Sequence, residues 1–502
     1  MRYGRLEAIV FIAGFGVMVT EIGGARILAS YFGDALFTWT SSISVVLASL
    51  ALGYYLGGRL ADRLPHSRSL PFLLLAACAF MFVIPFAAQA VLLFCLNLGY
   101  EYGPLPASVL LLAAPNVFLG AVSPFAVRIK AKAVKVIGRS AGNLYAVSTV
   151  GSIVGALLSG YVLLPFIGVE ESFVLAGILL LASGVAALGY KALPLLAAVA
   201  IVLLPVPQLY PSSIGNTLYQ GDTPYYHLAI VNDSGILQLK TNILGEQTLA
   251  YANGSSSRTL GYYIFQTLLY YGPGGVRSAL YLGLGGGAMV SDLYQNTNAS
   301  IDAVEIDPGV ISAAAKYFGI ENNSRVRIYN QDARFFLEQS SGKYDMIVLD
   351  TYGSSISIPY FLLTQEAANS MKQHLNANGS VLINLISPIS GPNDELFRSV
   401  YKTLSSVFPN VYVFAGNPTN LSAIQNMEII ASTNATRKSL ANFQNELSGK
   451  MDPQLAAAML SGYQNGTINT TGFPILTDNA NPVEVYVAIA ESSLKASCPP
   501  NC

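Results

Sequence analysis

Between Tyr281 and Asp350, residues suited to ligand binding and proton transfer follow one another at the ends of strand-like runs. Tyr281-Leu-Gly-Leu-Gly-Gly-Gly287 is apolar and closes on glycines, the pattern of a buried strand turning sharply into a helix. Gly285, Gly286 and Gly287 suit that turn because glycine takes positive φ and has no Cβ to hold a ligand away. Ile301-Asp-Ala-Val-Glu305 then ends in an acid roughly 20 residues after the turn, where a carboxylate can accept from both hydroxyls of a ribose. Val326-Arg-Ile-Tyr-Asn-Gln-Asp332 and Tyr344-Asp-Met-Ile-Val-Leu-Asp350 end in acids as well. A glycine turn alone is weak evidence of a nucleotide site. The ordered set of glycines, Glu305, Asp332 and Asp350 is far more specific.

Four strand-like runs alternating with helix-like runs imply a parallel sheet, with Gly285, Glu305, Asp332 and Asp350 at the carboxyl edge where open α/β sheets bind ligands. In front of it, His227–Val231, a turn at Asn232-Asp-Ser-Gly235, Ile236–Lys240 and Gln247–Ala252 read as a small β-subdomain, followed by a helix over Arg258–Tyr271. Behind it, Gln365–Leu375 reads as a helix stopped by Asn-Ala-Asn-Gly379, and Ser380–Leu385 as a fifth strand. Glu395–Phe408 follows as a helix, and Val411–Phe414 and Glu428–Ala431 as closing strands. The tail from Ser439 reads as helix, then coil.

The first 210 residues are of another kind. The chain has 502 residues, 52% hydrophobic and only 11% charged, with mean hydropathy +0.48, too apolar for an ordinary soluble enzyme. Leu6–Ser30, Phe37–Gly58, Leu70–Leu96, Leu105–Val127, Val147–Ile167, Ser172–Tyr190 and Pro194–Leu209 are each long enough, or nearly so, to cross a hydrocarbon layer that needs about 20 residues. About seven spans are therefore expected, the last shortened by Pro194, Pro205 and Pro207. The first run contains Glu21 and Arg26 and leads into more spans, so it is no cleavable signal peptide. Lys and Arg occupy alternate connections (Arg59, Arg63 and Arg68; Arg128, Lys130, Lys132, Lys135 and Arg139; Lys191), which places the amino terminus in the cytoplasm and, after an odd number of spans, the carboxyl-terminal half outside the cell membrane. Asn-X-Ser/Thr sequons at Asn232, Asn253, Asn298, Asn322, Asn378, Asn420, Asn434, Asn465 and Asn469, with none before residue 210, argue for an exposed, glycosylated surface; generation by an Asn- and Ser-rich composition is the lesser alternative.

Glu21 and Arg26 inside a span are read as neutralising neighbours or lying near an interface rather than lining an ion path. Gly53-x-x-x-Gly57 and Gly151-x-x-x-Gly155 permit close helix packing. Cys78 and Cys95 sit in an apolar run, Cys498 and Cys502 close the tail, and no metal-ligand cluster is legible with three His in the chain. A net charge of −1 gives no reason to expect nucleic acid; the partners expected are the lipid membrane and small molecules.

Gly-Leu-Gly-Gly-Gly287, Val-Glu-Ile-Asp307-Pro-Gly-Val, Asn-Gln-Asp332-Ala-Arg, Tyr-Asp-Met-Ile-Val-Leu-Asp350 and Ile358-Pro-Tyr-Phe-Leu-Leu-Thr-Gln-Glu366 together resemble the spermidine synthases (polyamine aminopropyltransferases). The whole chain resembles the branch in which that domain follows a multi-span membrane region. The resemblance covers roughly residues 211–431. It implies a multi-span α-helical membrane domain (1–210), a small β-subdomain with its connecting helix (211–272), a methyltransferase-like, Rossmann-like α/β domain (273–440) and a helical tail (441–502). It further implies transfer of an aminopropyl group from decarboxylated S-adenosylmethionine, as co-substrate, to an amine, leaving methylthioadenosine, in an enzyme that commonly forms homo-oligomers. Carried over position by position, the resemblance gives Glu305 the ribose, Asp332 and Ala333 the adenine, Asp350 the proton of the attacking amine, and Gln247 and Tyr263 contacts to substrate. The sequence departs from the family at Ala288, where an Asp holds the aminopropyl ammonium; at Tyr263-Ile264-Phe265, which stands for Tyr-His-Glu; and at Gly353, which stands for a second acceptor-binding Asp. Those losses keep two other readings open, a methyltransferase using intact S-adenosylmethionine and a non-catalytic nucleoside-binding or membrane-assembly module.

Overall fold

The structure is a computed structural model that describes residues 3–33, 36–64, 69–130, 137–188, 216–241, 245–254, 261–352 and 358–497. The chain divides into two compact units, Met1–Ser212 with Gly221–Pro224, and Ser213–Gln220 with Tyr225–Cys502.

Among the described residues, the first unit holds six helices long and apolar enough to cross a membrane: α1 (Gly4–Phe32), α2 (Leu36–Arg63), α3 (Leu70–Leu96), α4 (Pro104–Lys130), α5 (Ile137–Phe166) and α6 (Val169–Leu188). The expected seventh span, Pro194–Leu209, lies outside the described residues, as does the Cys498–Cys502 pair. The small-residue spacings are packing surfaces. A methyl group on Gly53 or Gly57 of α2 would stand 2.4 Å from the Val117 carbonyl oxygen or 2.5 Å from the Ala121 Cα of α4. On Gly151 or Gly155 of α5 it would stand 2.1 Å and 2.7 Å from the Phe11 and Phe15 carbonyl oxygens of α1. Ion pairs Lys130–Glu7 (2.5 Å) and Arg128–Asp62 (3.2 Å) join the start of α1 and the end of α2 to the end of α4. Arg26 donates to the Thr223 carbonyl at 2.9 Å, so this charge has a backbone partner within its own unit.

A four-stranded sheet comes next, β1 (Asn216–Asp222), β2 (His227–Asp233), β3 (Ile236–Thr241) and β4 (Gly245–Tyr251), in the order β1-β2-β3-β4, and all of it but Gly221 and Asp222 belongs to the second unit. The Asn232–Gly235 turn joins β2 to β3, with the Gly235 N–H donating to Asn232 Oδ1 at 3.1 Å. In place of the expected helix over Arg258–Tyr271, the described part is a 3-10 turn at Tyr262–Gln266 running into one helical turn, Thr267–Tyr270.

The main sheet comprises β5 (Ser278–Leu282), β6 (Ser300–Glu305), β7 (Val326–Asn330), β8 (Tyr344–Leu349), β9 (Leu375–Ser387), β10 (Asn410–Ala415) and β11 (Gln425–Ser432), in the order β10-β11-β9-β8-β5-β6-β7. Strands β5 to β9 pair in parallel, whereas β11 is antiparallel to both β9 and β10. Helices α7 (Ala288–Asn296), α8 (Pro308–Phe318), α9 (Ala333–Gln339) and α10 (Gln365–Gln373) make the crossovers, and α11 (Glu395–Val407) precedes β10. The fold is thus a Rossmann-like α/β domain of methyltransferase type. Successive residues of each strand face opposite layers. Leu280 and Leu282 enter one apolar cluster with Ile347, Val381 and Ile383, while Ala279 and Tyr281 enter another with Ala303, Val348 and Leu382.

Two boundaries differ from expectation. Asn-Ala-Asn-Gly379 does not precede the fifth strand but lies within β9, where Asn378 takes φ 64° and the pairing register shifts. The tail is not coil after its first helix: α12 (Leu440–Leu447), α13 (Pro453–Ser461) and α14 (Val483–Ser497) follow β11, and Val483, Val487 and Ala490 join the apolar cluster under the sheet.

The glycine contacts generate a prediction. Gly151→Leu should lower unfolding stability by about 1–3 kcal/mol, the cost of overpacking, measured by thermal unfolding in detergent. Gly142→Leu on the same helix, where a Cβ meets nothing within 4 Å, should change it little.

Candidate functional site

The strand order reverses between β5 and β8: one neighbour of β5 is β6, the other β8. Such a switch point opens a crevice at the carboxyl ends of the two strands. Here the crevice is a cleft with an empty volume of about 1070 Å³, lined by Gly283, Leu284, Gly285, Glu305, Asp332, Ala333 and Asp350 together with residues of the small sheet and of the Pro359–Leu362 turn.

The glycines divide by role. Gly283 (φ 97°) and Gly285 (φ 53°) line the cleft, and both need the left-handed region that favours glycine. A Cβ on Gly283 would stand 2.1 Å from the Asp350 carbonyl oxygen. Gly286 and Gly287 lie behind the turn instead. Gly286 donates its N–H to Thr248 Oγ1 of β4 at 2.8 Å, and a Cβ on Gly287 would strike Ile320. Gly287 is also the residue from which α7 starts.

Glu305 ends β6 and is 9% exposed. Its Oε2 accepts from the Leu284 and Gly285 N–H groups (3.1 and 3.4 Å) and its Oε1 from the Asp307 N–H at 3.0 Å. Burial pushes its carboxyl above the usual range, those three backbone donors oppose the shift, and the nearby Asp307 charge adds to it. Each oxygen keeps accepting capacity toward the cleft. Asp332 caps α9, its Oδ1 accepting from Phe335 N–H at 2.9 Å. Ala333, the first residue of α9, lines the cleft beside it with a backbone N–H that needs no partner inside the helix.

Asp350 follows β8. Its Oδ1 accepts from Asn384 Nδ2 at 3.1 Å and its Oδ2 from the Tyr262 hydroxyl at 2.8 Å. Burial raises its carboxyl above the ordinary value, and the two donors oppose the shift. Tyr263 is buried, lines the cleft, and accepts the Leu249 N–H on its hydroxyl at 2.9 Å. Gln247 lies on β4, and its side chain is outside the described residues, as is Gly353. Ala288 lines the cleft.

The sequence reading missed Tyr262, Asn384, Thr248 and Glu428. The segment that follows Tyr262 is tied to α7 by a buried chain of hydrogen bonds: Tyr281 donates to Gln266 Oε1 (2.7 Å), while Gln266 Nε2 (2.9 Å) and the Tyr270 hydroxyl (2.8 Å) both donate to Asp292 Oδ2 on α7. Adjacent tyrosines at 262 and 263 were the only local signal, and which of them meets Asp350 depends on the 3-10 geometry.

Residues 273–439 match the model of the spermine/spermidine synthase domain. A probable polyamine aminopropyl transferase of Bifidobacterium longum is 30% identical over 197 residues, 39% of this chain and 43% of that protein. Polyamine aminopropyltransferase 2 of Aquifex aeolicus is 23% identical over 418 residues, 80% of this chain and 82% of that protein. The human eEF1A lysine and N-terminal methyltransferase is 31% identical over 147 residues, 27% of this chain and 20% of that protein. The first relatives matched are spanned for about half their length, 43% and 56%. Glu305, Asp332 and Asp350 fall inside the matched segment, whereas Tyr225, Tyr226, Leu239, Thr241, Thr248 and Tyr263 of the cleft precede it, and over residues 273–439 this chain is similar to the spermine/spermidine synthase domain.

Proposed function

We propose that the chain is a membrane-anchored transferase that moves an aminopropyl group from decarboxylated S-adenosylmethionine to a polyamine or another amine. The observation that carries this reading is Asp350, a carboxylate at the switch point, held by two donors and facing a cleft whose opposite wall is Glu305. The residues fit the donor. Glu305 can accept from two ribose hydroxyls, Ala333 N–H and the free oxygen of Asp332 can meet an adenine edge, and Gly283 and Gly285 leave room for the nucleoside between them. In the reaction, the lone pair of the amine nitrogen forms a bond to the aminopropyl carbon attached to the sulfonium. The carbon–sulfur pair returns to sulfur as neutral methylthioadenosine, and the amine proton passes to Asp350. An amine is protonated at neutral pH and attacks only once it has given up that proton.

Ala288 favours a second reading. It stands where the family's aminopropyl-binding acid would be, and similarity to a methyltransferase agrees with an intact S-adenosyl donor. The lipid bilayer is the proposed partner of α1 to α6. The sequons are all exposed or half-buried, which supports a carboxyl-terminal half outside the cytoplasm. Protease added to intact cells should then cleave the second unit, and full protection would place it inside.

Calorimetric titration of the detergent-solubilised chain with decarboxylated S-adenosylmethionine, S-adenosylmethionine and methylthioadenosine should give binding that weakens about 10–100-fold in Glu305→Ala, the worth of lost charge-assisted hydrogen bonds. The tighter donor chooses between aminopropyl and methyl transfer, and silence with all three would remove both. Asp350→Asn should lower kcat/KM about 10²–10⁴-fold while leaving methylthioadenosine affinity intact. Because Asp350 must be ionised to accept a proton and its pKa is raised, the rate should climb with pH through an acid limb above the ordinary carboxylate value of about 3.9. A limb that survives in Asp350→Asn would assign the base elsewhere.

A further inference from the structure

Strands β9 and β11 run antiparallel with Asn384 directly opposite Glu428. The two side chains therefore leave the sheet on the same face, with Cβ atoms about 4.5–5.5 Å apart. Glu428 is 1% exposed. Among the described residues neither of its carboxyl oxygens has a hydrogen-bond partner, and the side-chain oxygen of Asn384 is orphaned in the same way. The other end of that amide, Nδ2, donates to Asp350 Oδ1 at 3.1 Å. The layer around them is apolar, with Leu382, Tyr412, Phe414 and Ile430 on the same face. An ionised Glu428 would set bare acceptors against the amide oxygen in that layer, where unpaired charge is least tolerated. Turning the amide over would only move the conflict to Asp350. An amide between two acids has one accepting and one donating end, and it satisfies both acids when one of them holds a proton.

We propose that Glu428 is a neutral carboxylic acid at pH 7 whose O–H donates to the Asn384 side-chain oxygen, so that Asn384 in turn directs its N–H at Asp350 and keeps Asp350 the anion of the pair. This rests on the reading of Asp350 as proton acceptor. Glu428 does not line the cleft; it is a positioning residue that acts through Asn384. The titratable groups facing it are Asp350, Tyr262 and Tyr352. Both tyrosine hydroxyls donate elsewhere, Tyr262 to Asp350 at 2.8 Å and Tyr352 to the Asn384 backbone carbonyl at 2.9 Å. Burial first, and the Asp350 charge second, hold the Glu428 carboxyl well above the ordinary carboxylate range. A carboxylic acid kept neutral by an apolar site is a known way of making a hydrogen-bond donor at pH 7.

Two readouts on the full chain in detergent test it. Infrared difference spectra at pH 7 should show the C=O stretch of a protonated carboxylic acid that is lost in Glu428→Gln and kept in Asp350→Asn. Absence of any such loss overturns the proposal, and this arm needs no turnover. The second readout is the acid limb of kcat/KM. Glu428→Gln keeps a donor facing Asn384 and should leave the limb in place. Glu428→Met removes the donor and should move the limb up by about 0.5–1 pH unit. Were Glu428 charged, Glu428→Gln would remove a neighbouring negative charge and move the limb down, which also overturns the proposal. If no donor is turned over at all, the proposed reaction falls while the infrared arm still decides the state of Glu428.

Discussion

Between the carboxyl ends of β5 and β8 there is no room for a side chain at residue 283, because the Asp350 carbonyl oxygen lies 2.1 Å from where a methyl group would stand. That contact follows from two strands paired in parallel, Asp350 N–H donating to the Leu282 carbonyl at 2.9 Å, while Gly283 N–H turns the other way to the Val304 carbonyl at 2.9 Å. Residue 283 is thus the point at which the chain leaves one neighbour for the other. The cleft exists because the backbone parts there, and its two principal acids, Glu305 and Asp350, lie on either side because each ends a strand flanking β5. An alanine at 283 would both clash and demand φ 97° of a residue with a Cβ. The geometry of both acids hangs on that one glycine.

The acids of this region differ by what solvates them. Glu305 is buried but receives three backbone N–H groups, so the protein itself replaces its water. Asp332 spends one oxygen on a helix start and lets that helix hold its charge. Asp350 has one phenol and one amide. Glu428, with no donor among the described residues, is the acid for which ionisation is most costly. By the donors aimed at each among the described residues the order is Glu305 with three, Asp350 with two, Asp332 with one and Glu428 with none.

What could be read from sequence was what is local. An apolar run ending in an acid marks a strand and its carboxyl end together, so Glu305, Asp332 and Asp350 were legible as one edge, and the strand order then brought Glu305 and Asp350 to opposite flanks of β5. The small-residue spacings on α2 and α5 were legible for the same reason, since four residues make one helical turn. Non-local pairing was not legible. Glu428 reads as an ordinary strand residue until the antiparallel register of β9 and β11 sets it opposite Asn384. Asn-Ala-Asn-Gly379 carries every mark of a helix stop and a turn, yet β9 absorbs it at a shift of register, with Asn378 in the left-handed region. Local composition cannot distinguish a turn between elements from an irregularity inside one.

On the proposed reading, the charge balance of the cleft bears on the acceptor. A diamine enters as a dication, and each ammonium taken out of water needs an anion or several acceptors to replace its hydration. Among the described residues, the acids lining the cleft are Glu305, Asp332 and Asp350, and the first two are engaged with backbone donors on the side where the nucleoside would lie. Glu428 does not supply the missing charge, because it is buried behind the lining and neutral. Among the described acids, Asp350 alone then faces the amine. That arrangement favours an acceptor that brings one cationic nitrogen to the reacting carbon and keeps its remainder apolar, hydroxylated or in solvent, and it works against one with a second buried ammonium. The tyrosines around the cleft, Tyr225, Tyr226, Tyr263 and Tyr352, offer such an acceptor ring faces and hydroxyls rather than a second carboxylate.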